Sequence, residues 1–244
     1  MKSARQPSPA QRLRHMHERL MAAYGPQSWW PAQTRFEVIL GAYLTQNTAW
    51  KAVELSIKNL RAAGALSVDG LRDLPLDTLR VLIRPSGFVT RKAPALKAFV
   101  AMLDAEFSGS LDALARAPAD ESRRRLLALP GVGPETADAI LLYALGHSVP
   151  VADEYLRRIA ERHALIHPAP GRNRSGYESL VQLTREAFVG DAEVGRAQLY
   201  NEFHALTVAV GKAHCKRTAN CAGCPLAYDL EDRNEQGAKA APSR

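Results

Sequence analysis

The stretch Leu129-Pro130-Gly131-Val132-Gly133-Pro134-Glu135-Thr136-Ala137, continuing through Asp138-Ala139-Ile140-Leu141-Leu142-Tyr143-Ala144-Leu145, governs how the rest of the chain is read. Gly131 and Gly133 permit positive φ and a tight turn, and without side chains they let a partner approach the main chain. Pro134 suits the first turn of a helix, where its missing N–H costs nothing. Ala137, Ile140, Leu141, Ala144 and Leu145 then follow the stripe of one buried helical face. The free N–H groups at such a helix start, with the positive end of its dipole, form a cradle for a phosphate. A plain helix–helix corner would use the same residues. The setting, just before an amphipathic helix in a basic chain, favours the phosphate.

Outward from this hairpin the spacing stays helical. Phe36, Ile39, Leu40, Tyr43 and Leu44 form a second stripe, and Leu199, Phe203, Leu206 and Val210 a third. Alternating apolar and polar runs rich in β-branched residues are nearly absent, so the fold class is all-α, with about ten short helices. Breaks fall at Gly25-Pro26, Arg84 to Gly87, Leu129 to Gly131, His147 to Val151 and His167 to Ser175. The last of these, HPAPGRNRS, is expected to be a mobile surface loop.

Composition narrows the function classes. The 244 residues carry 32 Lys plus Arg against 25 Asp plus Glu, a formal net charge of +7, with 46% hydrophobic and 23% charged residues. That is the composition of a folded globular chain, not a disordered one. No run of roughly 18 apolar residues is present, which predicts no membrane span. The basic N-terminus has no apolar core, so it does not read as a secretory signal, and a cytoplasmic chain is expected. Cys215, Cys221 and Cys224 sit too close together for a disulfide framework and suggest a metal clip in a reducing compartment. The positive charge makes a polyanion a plausible partner.

LPGVGPETADAILLYAL at 129–145 resembles the helix-hairpin-helix of the endonuclease III superfamily of DNA glycosylases. Two further blocks agree in order and spacing: FEVILGAYLTQNTAW at 36–50 is similar to the family's early helix and Gln-containing loop, and VPVADEYLRRIAERH at 149–163 to its catalytic-Asp segment. The cysteines are the fourth block, and the resemblance covers about residues 30–230. It implies a two-lobed helix-hairpin-helix glycosylase fold with a C-terminal iron–sulfur-type loop, in a monomer associated with the nucleoid. Residues 34–146 would form a helical bundle ending in the hairpin. Residues 1–33 plus 147–230 would form the second lobe, and 231–244 a polar tail. Double-stranded DNA with damaged bases, the implied partner, would lie in a groove between the lobes with Asp153 at its floor.

Asp153 is, by this resemblance, the essential carboxylate. Breaking a base–sugar bond builds positive charge on the deoxyribose, which a fixed carboxylate stabilises or relieves by activating water. The residue could also cap the helix that follows, and the two roles are compatible. Glu154 reads as a first-turn charge. Bifunctional relatives carry a lysine at the position of Glu135, and a carboxylate cannot form the Schiff base of the lyase route. The resemblance is therefore to the monofunctional, 3-methyladenine-type branch, acting on alkylated purines. Two other readings stay open: a catalytically weak, damage-binding member, and a bifunctional enzyme for oxidised pyrimidines with a relocated amine.

The resemblance also assigns Gln46 and Phe88 to the space left by an extruded base, with Gly131, Val132, Gly133 and Thr136 of the hairpin contacting DNA. Phe88 could equally be a core aromatic. Trp29, Trp30, Tyr43 and Trp50 could stack on a cationic alkylated purine or simply pack the core. Lys212 is either near the base pocket or a solvated lysine at a helix end. Arg84, Arg91, Lys92, Arg157, Arg158, Arg172 and Arg174 are possible phosphate contacts or a solvated face. The family's cysteine loop has four thiolates; here Leu230 stands at the fourth position and the first gap is one residue short. The implied cofactor is a [4Fe–4S] cluster on Cys215, Cys221 and Cys224, with Asp229 or Asp232 as an oxygen ligand. Zinc on the cysteines with His204 or His214, or no metal, are the alternatives.

Overall fold

The computed structural model describes residues 6–192 and 195–230. In chain order the helices are α1 (Pro9–Tyr24), α2 (Arg35–Leu44), α3 (Trp50–Ala62), α4 (Val68–Asp73), α5 (Leu76–Leu82), α6 (Val89–Phe107), α7 (Leu111–Arg116), α8 (Ala119–Leu127), α9 (Pro134–Ala139), α10 (Glu154–Arg162), α11 (Arg174–Ala187) and α12 (Arg196–Ala213). A 3₁₀ turn, Arg84–Ser86, leads into α6, and a π-helical segment, Ile140–Ala144, continues α9. No strand occurs among the described residues. Two compact units result, one of residues 30–149 and one of residues up to 29 together with those from 150 onward.

In the 30–149 unit α2 is the central helix, packed by α3, α6 and the π segment. Its predicted stripe is buried, but so are Glu37, Val38, Gly41 and Ala42 between the stripe positions. A helix enclosed by three neighbours has no solvent face for a polar side to occupy. Thr34 starts it by accepting the Glu37 N–H, and Glu37 in turn takes Arg61 in an ion pair of 2.8 Å.

The hairpin differs from a simple helix start. Ala137, Ile140, Leu141, Ala144 and Leu145 are all buried as expected, but Ala139 and Leu142 are buried too. The backbone accommodates this by widening: Leu145 N–H reaches back five residues to Ile140 O at 3.1 Å. Asp138 is buried as well, so this helix is enclosed on more than one face, and the wide turn changes the angle only of the residues that follow it.

In the other unit α1 packs on α11 and α12, and α10 packs on α11 and α12. Ser8 and Gln11 form a capping box at the start of α1. Asn173 caps α11, so Arg174 and Ser175 belong to its first turn and the loop expected over 167–175 is shorter. Along α12 Phe203, Leu206 and Val210 are buried, while Leu199 is half-buried and Tyr200 takes the core position beside it. No described helix is long and apolar enough to cross a membrane.

Candidate active site

Asp153 ends the extended segment 149–153 and is the N-cap of α10. Its Oδ1 accepts the Leu156 N–H at 2.8 Å, and the residue is 8% exposed. Capping fixes the carboxylate's orientation. The second oxygen, Oδ2, lies 3.7 Å from Nε2 of the buried His204. The His204 ring in turn faces Trp29, with centroids 5.4 Å apart.

Two residues that the sequence did not single out hold this arrangement. Glu202, buried on α12, accepts the backbone N–H of Gln27 at 2.6 Å and of Ser28 at 3.0 Å, fixing the segment that delivers Trp29. Gly211, two turns beyond His204, lies against Tyr155, whose ring would be 2.2 Å from a Cβ at that position. Glu202 and Gly211 sit on the buried surface of α12 with His204 and Thr207. A run of polar or small residues at helical spacing, flanked by Phe203, Leu206 and Val210, was the available signal.

Glu154 lies in the first turn of α10, as expected. Its hydrogen bond with Arg157 holds its carboxyl below the usual range, with Arg172 and Arg158 adding to the effect. Arg157 is shared with Glu161, and Arg172 also meets Glu154. These arginines therefore have carboxylate partners within the protein rather than lying open for phosphate. Arg158 stacks on the Tyr155 ring at 4.8 Å, and Arg174 lies 4.0 Å from Glu178.

In the 30–149 unit the hairpin turns at Gly131, whose φ is 75°, and Gly133 is the N-cap of α9. Both glycines are exposed, Val132 and Thr136 are buried, and Glu135 is exposed in the first turn. Gln46 Nε2 donates to Gly131 O at 3.0 Å and to Thr136 Oγ1 at 2.9 Å, tying its loop to the hairpin. Phe88 is 59% exposed at the N-cap of α6 with φ 50°, so the core-aromatic alternative does not hold. An exposed aromatic on left-handed backbone costs free energy, and such positions cluster at functional sites. Arg84 and Arg91 are exposed on either side of it in sequence. Lys92 is buried, not a surface cation.

The aromatic residues separate. Tyr43 is core, 1% exposed and packed on Phe99, so it is not a pocket residue. Trp30 is half-buried and meets Trp50 at 5.5 Å and Tyr143 at 5.2 Å, with Gly41 leaving room for its indole. Trp50 Nε1 donates to Glu54. Trp29 belongs to the other unit, beside His204. Lys212 is exposed in the last turn of α12.

The cysteine loop carries a correction. Burial pushes the Cys224 thiol up, and the charges of Cys221 and Cys215 raise it further. Cys215 Sγ accepts from Arg162 Nη1 at 2.9 Å. Asp229, the expected oxygen ligand, is committed elsewhere: Arg12 binds both its oxygens at 2.8 and 2.6 Å, and His163 Nδ1 meets Oδ2 at 2.8 Å. Burial alone would raise the Asp229 carboxyl; the His163 and Arg12 hydrogen bonds overcome it and bring the pKa to about 2. His204 is turned to Asp153, and His214 Nδ1 lies 3.1 Å from Asn220 O. Asp232 lies outside the described residues. Among the described residues no group of three or more His, Cys, Asp or Glu side chains is arranged to hold a metal. The described residues therefore do not complete a four-ligand cluster site.

Comparison with known proteins gives the family and the fold. The model of the HhH-GPD superfamily of base excision DNA repair proteins matches residues 40–182. A Methanocaldococcus jannaschii protein named as a candidate DNA repair glycosylase is 38% identical over 85% of this chain and 90% of its own length. The endonuclease III-like protein 1 of Mus musculus is 28% identical over 82% of the chain and 63% of its own. Among solved structures, the H. pylori 3-methyladenine DNA glycosylase bound to 1,N6-ethenoadenine superposes with a TM-score of 0.70 at 27% identity, covering 85% of this chain and 98% of that one. An endonuclease III–DNA complex shares the fold, with a TM-score of 0.71 at 20% identity over 93% and 98% of the two chains. The chain belongs to the HhH-GPD superfamily of base excision DNA repair proteins, and within it to the DNA glycosylases.

Proposed function

We propose that this protein is a monofunctional DNA glycosylase that hydrolyses the base–sugar bond of alkylated purines in duplex DNA. The observation that carries the reading is Glu135, exposed in the first turn of α9, where bifunctional relatives place their Schiff-base lysine. With no amine there, the route left is water. As the C1′–N bond breaks, its electron pair leaves with the base and positive charge develops on the sugar. The Asp153 carboxylate, oriented by the Leu156 N–H, stabilises that charge. Water then adds its oxygen to C1′ and gives up a proton to the carboxylate or to solvent, leaving an abasic site.

Alkylation that leaves a purine cationic makes it both a better leaving group and a better ligand for aromatic faces. Trp29 beside His204, and Trp30 with Trp50 and Tyr143, supply such faces in the two units. The likeness to the H. pylori enzyme, solved with an ethenoadenine bound, supports the same substrate class. The glycosidic step needs nothing from the cysteine loop.

The test is a panel of duplexes carrying single alkylated purines, oxidised pyrimidines or mismatched thymine. Release from the alkylated purines is expected, with strands intact until alkali is added and no adduct after borohydride. A borohydride-trapped adduct would overturn the monofunctional assignment. Tight lesion binding without release of any base would leave a damage-binding protein. Preferential release of oxidised pyrimidines or thymine would move the substrate class.

A further inference from the structure

The Gln46 loop and the Phe88 turn share one buried ammonium. Lys92 is 3% exposed, and its Nζ donates to Leu44 O, Thr48 Oγ1 and Ser86 O, each at 2.8 Å. Leu44 O closes the end of α2, Thr48 stands two residues after Gln46, and Ser86 two residues before Phe88. All three ammonium protons thus have an acceptor. Thr48 Oγ1 also lies 2.7 Å from Ser86 O and 3.1 Å from Gln46 O, so the two turns meet around the same group. The Nζ is 5.6 Å from the centroid of the exposed Phe88 ring.

A buried ammonium is an expensive way to fill space. Burial lowers the Lys92 pKa to about 8, and a hydrocarbon side chain would avoid that desolvation cost. What a hydrocarbon cannot do is bind three oxygens from separate segments at once. Gln46 is meanwhile tied to Gly131 and Thr136, so the loop that Lys92 holds is the one that also grips the hairpin.

Resting on the reading of the site given above, we propose that Lys92 is a positioning residue: it locks the Gln46 loop and the Phe88 turn into one arrangement, so that both side chains enter a duplex together. Its effect on DNA is exerted through Phe88 and Gln46, with no contact of its own.

A double-mutant cycle on the full-length chain tests this. The probe is a duplex with a tetrahydrofuran abasic-site analogue opposite 2-aminopurine, read by affinity and by 2-aminopurine fluorescence. Lys92→Met is expected to weaken binding about tenfold in the wild-type background and to damp the fluorescence change. In a background that lacks both side chains, Phe88→Ala with Gln46→Ala, the same change is expected to cost less than about twofold. If Lys92→Met does not fold, Thr48→Val takes its place in the cycle, removing one acceptor and leaving the charge. Equal losses in both backgrounds would show a general structural role and overturn the proposal while leaving the glycosylase reading intact. A Phe88→Ala protein that binds like wild type would instead refute the placement of Phe88 in the duplex, and the proposal with it.

Discussion

Asp153→Asn is expected to bind an alkylated duplex with near wild-type affinity and to release the base about 10³-fold more slowly. The two functions of the side chain separate cleanly in this substitution. Asn is as good an N-cap as Asp, so the hydrogen bond to Leu156 N–H survives and α10 keeps its start. What is lost is the negative charge that the proposed mechanism sets against the developing cation. Asp153→Ala removes both, and should add a stability loss of about 1 kcal/mol from the missing cap. Single-turnover base release, paired with thermal denaturation of both variants, distinguishes the contributions. Base release by Asp153→Asn within tenfold of wild type would show that another group carries the chemistry.

Gly211→Ala is expected to cost about 3 kcal/mol, the upper end for overpacking a filled interior. The added methyl would sit 2.2 Å from Tyr155 Cδ1, 2.5 Å from Cγ and 2.8 Å from Cβ. Rotating the ring cannot relieve a contact that includes Cβ, so α10 and α12 must separate. At roughly 2–4 °C per kcal/mol for a chain of this size, the melting temperature should fall by about 10 °C. Tyr155 stands two residues after Asp153, so the shift also disturbs the Asp153 cap, and turnover should fall along with stability. Combining Gly211→Ala with Tyr155→Ala should recover part of the melting temperature, because most of the colliding ring is gone. A wild-type melting curve for Gly211→Ala alone would mean that the two helices are not in close contact.

The hairpin and α2 could be read in the sequence because their signals are local. Glycine, proline and a repeating apolar stripe act within a few residues of one another. The features that escaped depend on distant partners. Nothing in the segment Arg91-Lys92-Ala93-Pro94 says that one of two adjacent cations is buried; its acceptors come from residues 44, 48 and 86. Asp229 looked like a ligand because it stands beside the vacant cysteine position, but its partner Arg12 lies 217 residues away. His204 suggested zinc by proximity to the cysteines in sequence, whereas the turn of α12 directs it to Asp153. Phe88 was ambiguous because an exposed and a buried aromatic look alike until burial is known.

The widened turn at Ile140–Ala144 sets the angular bookkeeping of the hairpin helix. Each residue of an α-helix advances about 100°, so one extra residue sets everything beyond it back by that angle. Thr136, which receives Gln46, lies before the wide turn, while Tyr143, which meets Trp30, lies within it. The orientation of the aromatic cluster relative to the Gln46 anchor is therefore fixed by a single-residue offset in the backbone. Deleting one residue between 140 and 144 would leave a regular, equally apolar helix, but it would swing Tyr143 away from Trp30 or Thr136 away from Gln46.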